Sequence, residues 1–487
     1  MGAKKILFLF FCLCGANTSI NAQMALQKFY NFCTDPLVLN SNNGVQFADS
    51  GFFIAAGNTE SPGITTLNTY LATFDYNLNL LNKKELYFSG QYNQPEGPNT
   101  IIKMGTNKYL LAANQIDDQI NSRIAVYQPY FFFFDQNLDS LGYIKYVDTI
   151  KSRWPSSLIQ DKQKNIIVTG VISSDTLIYS TWFQQWNWEF FHVWLAKYDS
   201  NANLIWEKTF LNPNIAGSTS IVLSHDSTSY ILSAFDFANN GSNNNIIIKT
   251  DTAGNILWQN QLPNTNPSYC FNLIATQDGN YAFLGTCSDS LVSGIPYYLY
   301  FYYGKINENG DTLWTKKFIK DRIYASQGSQ LCEASNGDLL LLGTRDSAYD
   351  RNALLRTDKD GNIEWYREYM YDTTFVNVQN LVNLSYLANG QILLSGDLNS
   401  NGIDSETYDS TGNSFMSWFV LTDTFGCIIP GCNQGDSVWQ LAITNVIPAK
   451  IDIKVYPNPT TGAFNLRSSE AGKLIFFDMV GKNNSPI

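Results

Sequence analysis

The chain repeats one short phrase seven times, and this repeat limits the possible folds more than any other feature. Each copy is a hydrophobic strand that ends in Asp or Asn, a tight turn, and a second strand that often begins near a Trp. In the four clearest copies the Trp follows the acidic or amide residue by seven positions: Asp199 to Trp206, Asp251 to Trp258, Asn307 to Trp314 and Asp358 to Trp365. Such a regular repeat predicts one supersecondary unit that is used many times.

A second phrase alternates with the first and also occurs seven times. It is a short strand, a turn rich in Gly, Asn or Asp, and an apolar strand ending in Gly or Ala, as in ATQDGNYAFLGT. The matching residues of the first phrase are Asp75, Asp135, Asp199, Asp251, Asn307, Asp358 and Asp423. The first and last of these are 348 residues apart, so the six intervals average 58 residues. A unit of this size with four antiparallel strands is typical of a propeller blade, so we predict an all-β fold, a seven-bladed β-propeller.

The two ends of the repeat favour a closed ring over a linear solenoid, which would need distinct capping repeats. The last unit has its third strand, SWFVLTDTFG, but then reads CIIPGC where the other units place a fourth strand. The sequence LQKFYNF at residues 26–32 supplies a strand at the other end of the chain. We therefore expect residues 26–32 to close the ring as the outer strand of blade 7, which removes exposed sheet edges.

The connections within each blade differ in length, and this difference predicts the binding face. The turns from first to second strand and from third to fourth strand share one face and are tight, with Gly allowing positive φ angles. The other connections share the opposite face, and several are long: residues 57–68, 86–99, 172–191, 286–298 and 396–416. Because binding residues are concentrated in loops held by a rigid scaffold, we expect binding on this long-loop face.

The N-terminus predicts export. Lys4 and Lys5 precede an apolar run at residues 6–14, and small and polar residues follow as far as Ala22. This order is typical of a secretory signal peptide, here residues 1–22. The apolar run is too short to cross a bilayer and no later segment is long and apolar enough, so we expect no membrane span.

Charge and cysteine content narrow the classes of ligand and site. The formal net charge is −11 and no basic patch is visible, so we expect no nucleic acid partner, whereas polar, neutral or cationic partners are easier to accommodate. In an exported chain Cys427 and Cys432 could close a small loop, or one of them could pair with Cys33. The other three mature cysteines are scattered through the repeat, which favours structural or free thiols over a metal site.

One aromatic cluster breaks the repeat and is the main candidate for ligand binding. In the long connection of blade 3 the sequence STWFQQWNWEFFHVW starts at Ser180 and mixes Trp with amides and a His. Flat aromatic faces beside amides suit sugar rings and equally suit a protein partner; the alternative is that the segment packs on its own blade. The candidate ligand-binding residues are Trp182, Trp186, Trp188 and His192. The four Trp residues of the repeat, in contrast, are expected to pack between neighbouring blades.

Little in the sequence indicates catalysis. Only two His residues exist, His192 and His225, and there is no Gly-x-Ser-x-Gly elbow or His-Glu-x-x-His helix. The turn that starts at Asp358 is similar to the beginning of a calcium loop, but equivalent turns lack its acidic residues, so we expect a structural turn. We therefore expect no metal and no cofactor. Carboxylate pairs for glycoside cleavage depend on a separation that only the folded chain defines.

The C-terminal sequence changes in character. The run VYPNPTTGAFNL at residues 455–466, followed by the strand-like KLIFFDMVGK, resembles the type A C-terminal sorting domain of the bacterial type IX secretion system, with its motif at Tyr456, Pro457, Asn458, Pro459, Gly462 and Phe464. The resemblance implies a Bacteroidetes-type protein carried through the periplasm and across the outer membrane, with the type IX secretion machinery as partner. Only 30 residues follow Pro457, whereas such domains usually continue through a further hairpin, so we expect a partial β-sandwich.

These observations predict four segments: a signal peptide at 1–22, the propeller at 23–435, a linker at 436–449 and a partial sorting domain at 450–487. The predicted function is a secreted or cell-surface binding module whose long-loop face contacts a polysaccharide or a protein. Two alternatives stay open: an extracellular glycan-degrading hydrolase or lyase, and a structural adhesin.

Overall fold

The computed structural model is an all-β protein, a propeller of seven four-stranded antiparallel blades. It describes residues 26–30, 39–41, 46–49, 51–60, 67–86, 93–94, 101–117, 126–146, 151–173, 191–210, 215–236, 245–263, 268–288, 291–292, 295–296, 299–319, 323–324, 329–345, 351–371, 376–401, 413–428, 437–441, 454–456 and 465–467. Residues 24–441 form one compact unit. Within the described ranges there is no helix long and apolar enough to cross a membrane.

Each blade runs outward from its first strand to its fourth, and in blades 1, 2 and 6 the first strand is in two pieces. The strands of blade 1 are Leu39–Ser41, Gln46–Asp49, Phe52–Glu60, Leu67–Asp75 and Leu80–Leu86. Those of blade 2 are Asn93–Gln94, Ile101–Gly105, Lys108–Asp117, Val126–Phe134 and Ser140–Lys145. Those of blade 3 are Arg153–Gln160, Ile166–Ser173, Phe191–Tyr198 and Leu204–Phe210.

The later blades follow the same order. Those of blade 4 are Ile215–Leu223, Ser229–Asp236, Asn245–Asp251 and Ile256–Gln261. Those of blade 5 are Ser268–Ala275, Tyr281–Ser288, Leu299–Ile306 and Thr312–Phe318, with a small hairpin, Leu291–Val292 and Ile295–Pro296, between its second and third strands. Those of blade 6 are Ile323–Tyr324, Leu331–Glu333, Leu339–Arg345, Arg351–Thr357 and Ile363–Tyr371. Those of blade 7 are Val376–Tyr386, Ile392–Asn401, Asn413–Thr422 and the N-terminal Leu26–Tyr30.

The N-terminal strand closes the ring, as predicted. Leu26–Tyr30 pairs antiparallel with the third strand of blade 7, in a register that sets Leu26 opposite Leu421 and Tyr30 opposite Ser417. Gln27 adds a side-chain contact, because its Oε1 accepts a hydrogen bond of 3.3 Å from Trp418 Nε1. Every blade therefore has a fourth strand, and that of blade 7 comes from the N-terminal part of the chain.

The edge of blade 6 carries an additional strand. Ser437–Leu441 pairs in parallel with the fourth strand of this blade, with Ser437 opposite Arg367 and Leu441 opposite Tyr371. The sequence predicted a linker at residues 436–449, but part of it forms this strand. The added strand satisfies backbone groups along an edge that would otherwise face solvent.

The acidic residue of the repeat caps the turn between the third and fourth strands. The Oδ1 atom of Asp358 accepts hydrogen bonds from the backbone N–H groups of Asp360 and Asn362 at 2.9 and 2.8 Å, and its Oδ2 accepts one from Asn362 Nδ2 at 2.8 Å. The other six reference residues accept the same two backbone bonds at 2.8–2.9 Å. The prediction of a structural turn at Asp358 is thus confirmed.

The four Trp residues of the repeat pack between blades, also as predicted. Each lies against the left-handed glycine in the corresponding turn of the next blade, so closely that a Cβ atom on that glycine would come within 3 Å of the indole: Trp206 with Gly254, Trp258 with Gly310, Trp314 with Gly361 and Trp365 with Gly426. Where the chain has Asn82 or Gly142 instead of the Trp, the next blade carries Leu138 or Ala202 at the turn, and both side chains are buried. The third residue after the Asp or Asn of the turn is therefore buried at each of these six positions.

The innermost strands of blades 3 to 7 are joined by a series of side-chain to backbone hydrogen bonds. In each case a polar side chain of one blade accepts from a backbone N–H of the next: Ser157 from Ile221 at 3.4 Å, Ser220 from Leu273 at 3.2 Å, Asn272 from Leu331 at 3.2 Å and Gln330 from Leu384 at 2.9 Å. Apolar clusters fill the space between blades outside this series. These polar positions do not share one residue type, so the sequence pattern does not mark them as equivalent.

Cysteine and C-terminal predictions are tested only in part. Cys270, Cys287 and Cys332 form no disulfide, while Cys427 is disulfide-bonded to a partner outside the described residues, so the choice between Cys33 and Cys432 stays open. Near the C-terminus, Lys454–Tyr456 pairs antiparallel with Asn465–Arg467. This places Tyr456 of the sorting motif on a strand; its other residues lie outside the described part.

Candidate functional site

The long-loop end of blade 3 departs from the repeat in the described residues. Arg153 begins the first strand and His192 lies near the start of the third, and both are opposite Ile172 of the second strand. Side chains opposite one another in a sheet share a face, so Arg153 and His192 lie on the same side of the blade. The second strand ends at Ser173 and the third begins at Phe191, and the sequence between them, 174–190, contains three of the four predicted binding residues, Trp182, Trp186 and Trp188.

A buried ion pair occupies this face. The guanidinium of Arg153, which is 4% exposed, donates from Nε to Glu207 Oε2 at 2.7 Å and from Nη2 to Oε1 at 3.0 Å. Its Nη1 donates to the Lys151 carbonyl at 3.3 Å, and its plane lies over the Tyr146 ring of blade 2 at 5.0 Å. This two-point contact fixes the orientation of both side chains.

Trp194 completes the cluster. Its indole is fully buried and donates from Nε1 to Glu207 Oε2 at 2.9 Å. Gly170 lies opposite Trp194 on the second strand, where a Cβ atom would come 1.8 Å from the Trp154 carbonyl oxygen. The glycine is required because the first strand bulges here and crosses directly over it. The result is a rigid base of Arg153, Glu207 and Trp194.

The exit of segment 174–190 is clamped to the first strand. The N–H of Ser173 donates to the carbonyl of Ser152 at 2.9 Å, and the N–H of Ser152 donates to the hydroxyl of Ser173 at 2.9 Å. Both serines are fully buried. The Trp-bearing segment therefore leaves the blade from a fixed point.

His192 is the predicted site residue that the structure describes. Its side chain is half-buried, and its Nδ1 atom is buried with no hydrogen-bond partner among the described residues. Burial, with the positive charge of Lys151 as a second cause, lowers the pKa of His192, so the imidazole is uncharged at neutral pH. A neutral imidazole has one donor and one acceptor nitrogen and suits an uncharged hydrogen-bonding ligand.

The arrangement supports binding better than catalysis. The charges of Arg153 and Glu207 cancel, and Glu207 already accepts hydrogen bonds from two residues, so this carboxylate is poorly placed to transfer a proton. In the part of the chain that the structure describes, no group of three or more His, Cys, Asp or Glu residues could hold a metal ion. Trp182, Trp186 and Trp188 lie outside the described residues.

Arg153 and Glu207 were not predicted as parts of the site, and Trp194, the last residue of the aromatic cluster, was not among the predicted ligand-binding residues. One signal was available: the residue after the repeat Trp is Gln259, Thr315 or Tyr366 in the next three blades, but it is the acidic Glu207 in blade 3. A carboxylate at a strand position that faces a neighbouring blade is removed from water, so it needs a positively charged or hydrogen-bonding partner. Its partner Arg153 lies 54 residues away, so spacing alone does not identify it.

Comparisons with known proteins found similar chains among solved structures. No protein-family model and no curated protein sequence matches the chain. Similar solved structures include a PL25 ulvan lyase (8% identity, TM-score 0.48, covering 79% of this chain and 94% of the lyase), the GH93 α-L-arabinofuranosidase of Fusarium graminearum (8%, 0.41, 81% and 97%) and a DUF4221 member from Bacteroides vulgatus (12%, 0.37, 65% and 90%). All three TM-scores are below 0.5, so these likenesses carry no conclusion about the function of this chain.

Proposed function

We propose that this protein is a secreted or cell-surface binding module that holds a neutral polysaccharide on the long-loop face of blade 3. The observation that carries the proposal is the combination of the Trp-rich sequence 174–190, with Trp182, Trp186 and Trp188, and the rigid base of Arg153, Glu207 and Trp194 in the strands of the same blade. His192, on the same face of the blade as Arg153, adds a neutral polar group. Aromatic faces beside a few fixed polar groups are the usual composition of a sugar-binding surface.

Charge favours a neutral ligand over an acidic one. The whole chain has a formal net charge of −11. The one arginine of the site is neutralised by Glu207 at 2.7 Å, and its imidazole is uncharged. An anionic glycan would therefore meet a negatively charged protein in which Lys151 is the positive group that the described residues place near His192.

Replacing Trp186 with alanine is expected to weaken polysaccharide binding about tenfold or more, because a ligand-stacking Trp at the centre of a binding surface contributes at least ~1.4 kcal/mol. Binding of residues 23–487 to neutral glucans, xylans and arabinans is measured by affinity electrophoresis and calorimetry, with alginate as an acidic comparison. His192→Ala is expected to lose affinity in the same direction.

The matched control is Phe425→Ala, since Phe425 is an exposed aromatic residue in a tight turn, where no binding is expected. Unchanged affinity in Trp186→Ala, with the fold retained, would refute the proposed site. Release of reducing ends in the same samples would instead indicate a hydrolase or lyase. Binding of surface proteins alone would favour a protein ligand, and no binding at all would favour a structural adhesin.

We also propose that the protein reaches the outer cell surface through the periplasm, using residues 1–22 for the first membrane and residues 450–487 for the type IX secretion machinery. In a host with that machinery, deletion of 450–487 should leave the propeller in the periplasm, and deletion of 1–22 should leave it in the cytoplasm. Cell fractionation with immunodetection measures both. Surface or medium levels that are unaffected by loss of 450–487 would contradict the sorting role.

A further inference from the structure

The junction between blades 7 and 1 is closed by a strand from the other end of the chain. The N-terminal strand contributes five paired residues, Leu26–Tyr30. The interblade contact of a Trp with a turn glycine, present at four junctions, is absent here, because blade 1 carries Leu78 at that turn position. We call this junction the closing seam. Among the described residues, the five-residue fourth strand of blade 7 is also shorter than the six- to nine-residue fourth strands of the other blades, and local opening is expected where a strand has few paired residues.

A carboxyl group is buried in the closing seam. Asp397 of blade 7 is 8% exposed, and its Oδ1 atom has no hydrogen-bond partner among the described residues. It lies opposite Asn380 on the first strand and opposite Ser417 on the third. The hydroxyl of Ser417 is 2.9 Å from the hydroxyl of Tyr70 in blade 1, so this face of blade 7 is directed at the seam.

No other blade has an acid at this position. The residues that occupy it, one strand position after the Gly or Ala of the second strand, are Asn58, Asn114, Val171, Phe235, Thr286 and Thr344. Four of these six residues are polar and uncharged and two are apolar, so the fold itself does not require a carboxyl group there.

The groups around Asp397 do not compensate a negative charge. Asn380 and Ser417, which lie opposite Asp397, are uncharged, and the described contact from blade 1 at Ser417 is the phenol of Tyr70. Burial raises the pKa of Asp397 to about 6, and only its own backbone amide acts in the opposite direction. The ionised form is therefore unfavourable while the seam is closed and becomes favourable when water reaches it.

We propose that the closing seam is a pH-sensitive switch: protonated Asp397 holds blades 7 and 1 together, and its ionisation loosens the N-terminal strand. The direction of this pH dependence follows from the raised pKa of Asp397. The seam is most stable below the ordinary carboxyl pKa near 4, and this stability is lost as the pH rises to about 6 and beyond. Opening at the seam would release Leu26–Tyr30 first, because this strand pairs with one neighbouring strand and the contacts of Tyr30 with Leu78 and Phe74 of blade 1 exist only while the seam is closed.

Hydrogen exchange of the mature chain, with rates divided by the intrinsic rate at each pH, tests the switch. Protection of peptides covering Leu26–Tyr30 and Asn413–Thr422 should fall about tenfold between pH 5 and pH 8. This is the change expected over that pH range when the pKa of Asp397 is near 4 in the open seam and about 6 in the closed seam. Peptides from Tyr281–Ser288 in blade 5 should keep constant protection and serve as the internal control.

Asp397→Asn should remove the pH dependence, and Asp397→Thr, the residue found in blades 5 and 6, provides a second variant if the first folds poorly. Asp360→Asn, an exposed turn carboxyl, should behave as the parent protein. Equal seam protection at pH 5 and pH 8 in the parent protein would overturn the proposal, as would an unchanged pH dependence in both Asp397 variants.

Discussion

Replacing Glu207 with alanine is expected to lower the free energy of unfolding by about 3–5 kcal/mol, the largest single effect at the candidate site. The substitution leaves the Arg153 guanidinium buried without its carboxylate partner and removes the acceptor of the Trp194 indole N–H. Arg153→Ala should cost less, roughly 2–3 kcal/mol, because the Glu207 side chain is 22% exposed and can be partly hydrated. Urea unfolding followed by circular dichroism measures both.

The double variant Arg153→Met/Glu207→Leu separates charge from packing. It should recover most of the loss, since removing both charges leaves no unpaired group. The matched control is Lys84→Ala, which breaks an exposed pair with Asp139 at 3.4 Å whose side chains are 39% and 73% exposed, and which should cost under ~1 kcal/mol. If Glu207→Ala costs no more than Lys84→Ala, the ion pair does not stabilise the base of the site.

Gly361→Ala is expected to destabilise the ring by about 3 kcal/mol for two reasons. Gly361 has a φ of +78°, where an L-residue costs about 1 kcal/mol. The new Cβ atom would also lie 2.6 Å from Trp314 Cζ3, so the indole must move out of its packed position. Gly337→Ala is the matched control, because Gly337 in the same blade has a φ of +89° but nothing closer than 3.8 Å to the new Cβ.

The difference between the two variants isolates the contact between blades. Gly337→Ala should lose only the backbone contribution of about 1 kcal/mol. Trp314→Ala combined with Gly361→Ala should cost less than the sum of the single changes, because the clash is removed with the indole. Thermal and urea unfolding of the four proteins complete the cycle. Equal losses for Gly361→Ala and Gly337→Ala, or strict additivity, would show that the indole is not held by the glycine.

Much of the fold was readable from the sequence because its signals are local and repeated. The acid of each turn accepts hydrogen bonds from residues two and four positions later, so its pattern recurs at every blade. The end of the repeat also indicated the N-terminal closing strand, since one strand was missing at one end and present at the other. The predicted long connections were less accurate: Phe52–Glu60 and Leu67–Asp75 extend the strands into residues 57–68. Polar residues at the ends of these strands hide the alternation on which strand prediction relies.

One residue of the candidate site, His192, was selected from the sequence, and its role in binding stays a prediction. His192 was identified by its place in an aromatic cluster, whereas Arg153 and Glu207 were not, because a buried ion pair across a blade has no fixed sequence spacing. Asp397 shows the same limit. Its neighbours Ser417 and Tyr70 are far from one another in the chain, and the unusual environment of the carboxyl group exists only when the ring is closed.

The sequence by itself determined the number of blades, the turn chemistry and the role of the repeated Trp residues, because each of these depends on contacts that recur with a fixed period. The tertiary structure alone decided which of the irregular residues matter. Arg153 with Glu207 and Asp397 with the closing seam are brought together by the folding of a blade and the closing of the ring, and burial, which no sequence pattern states, gives these charged groups their chemistry.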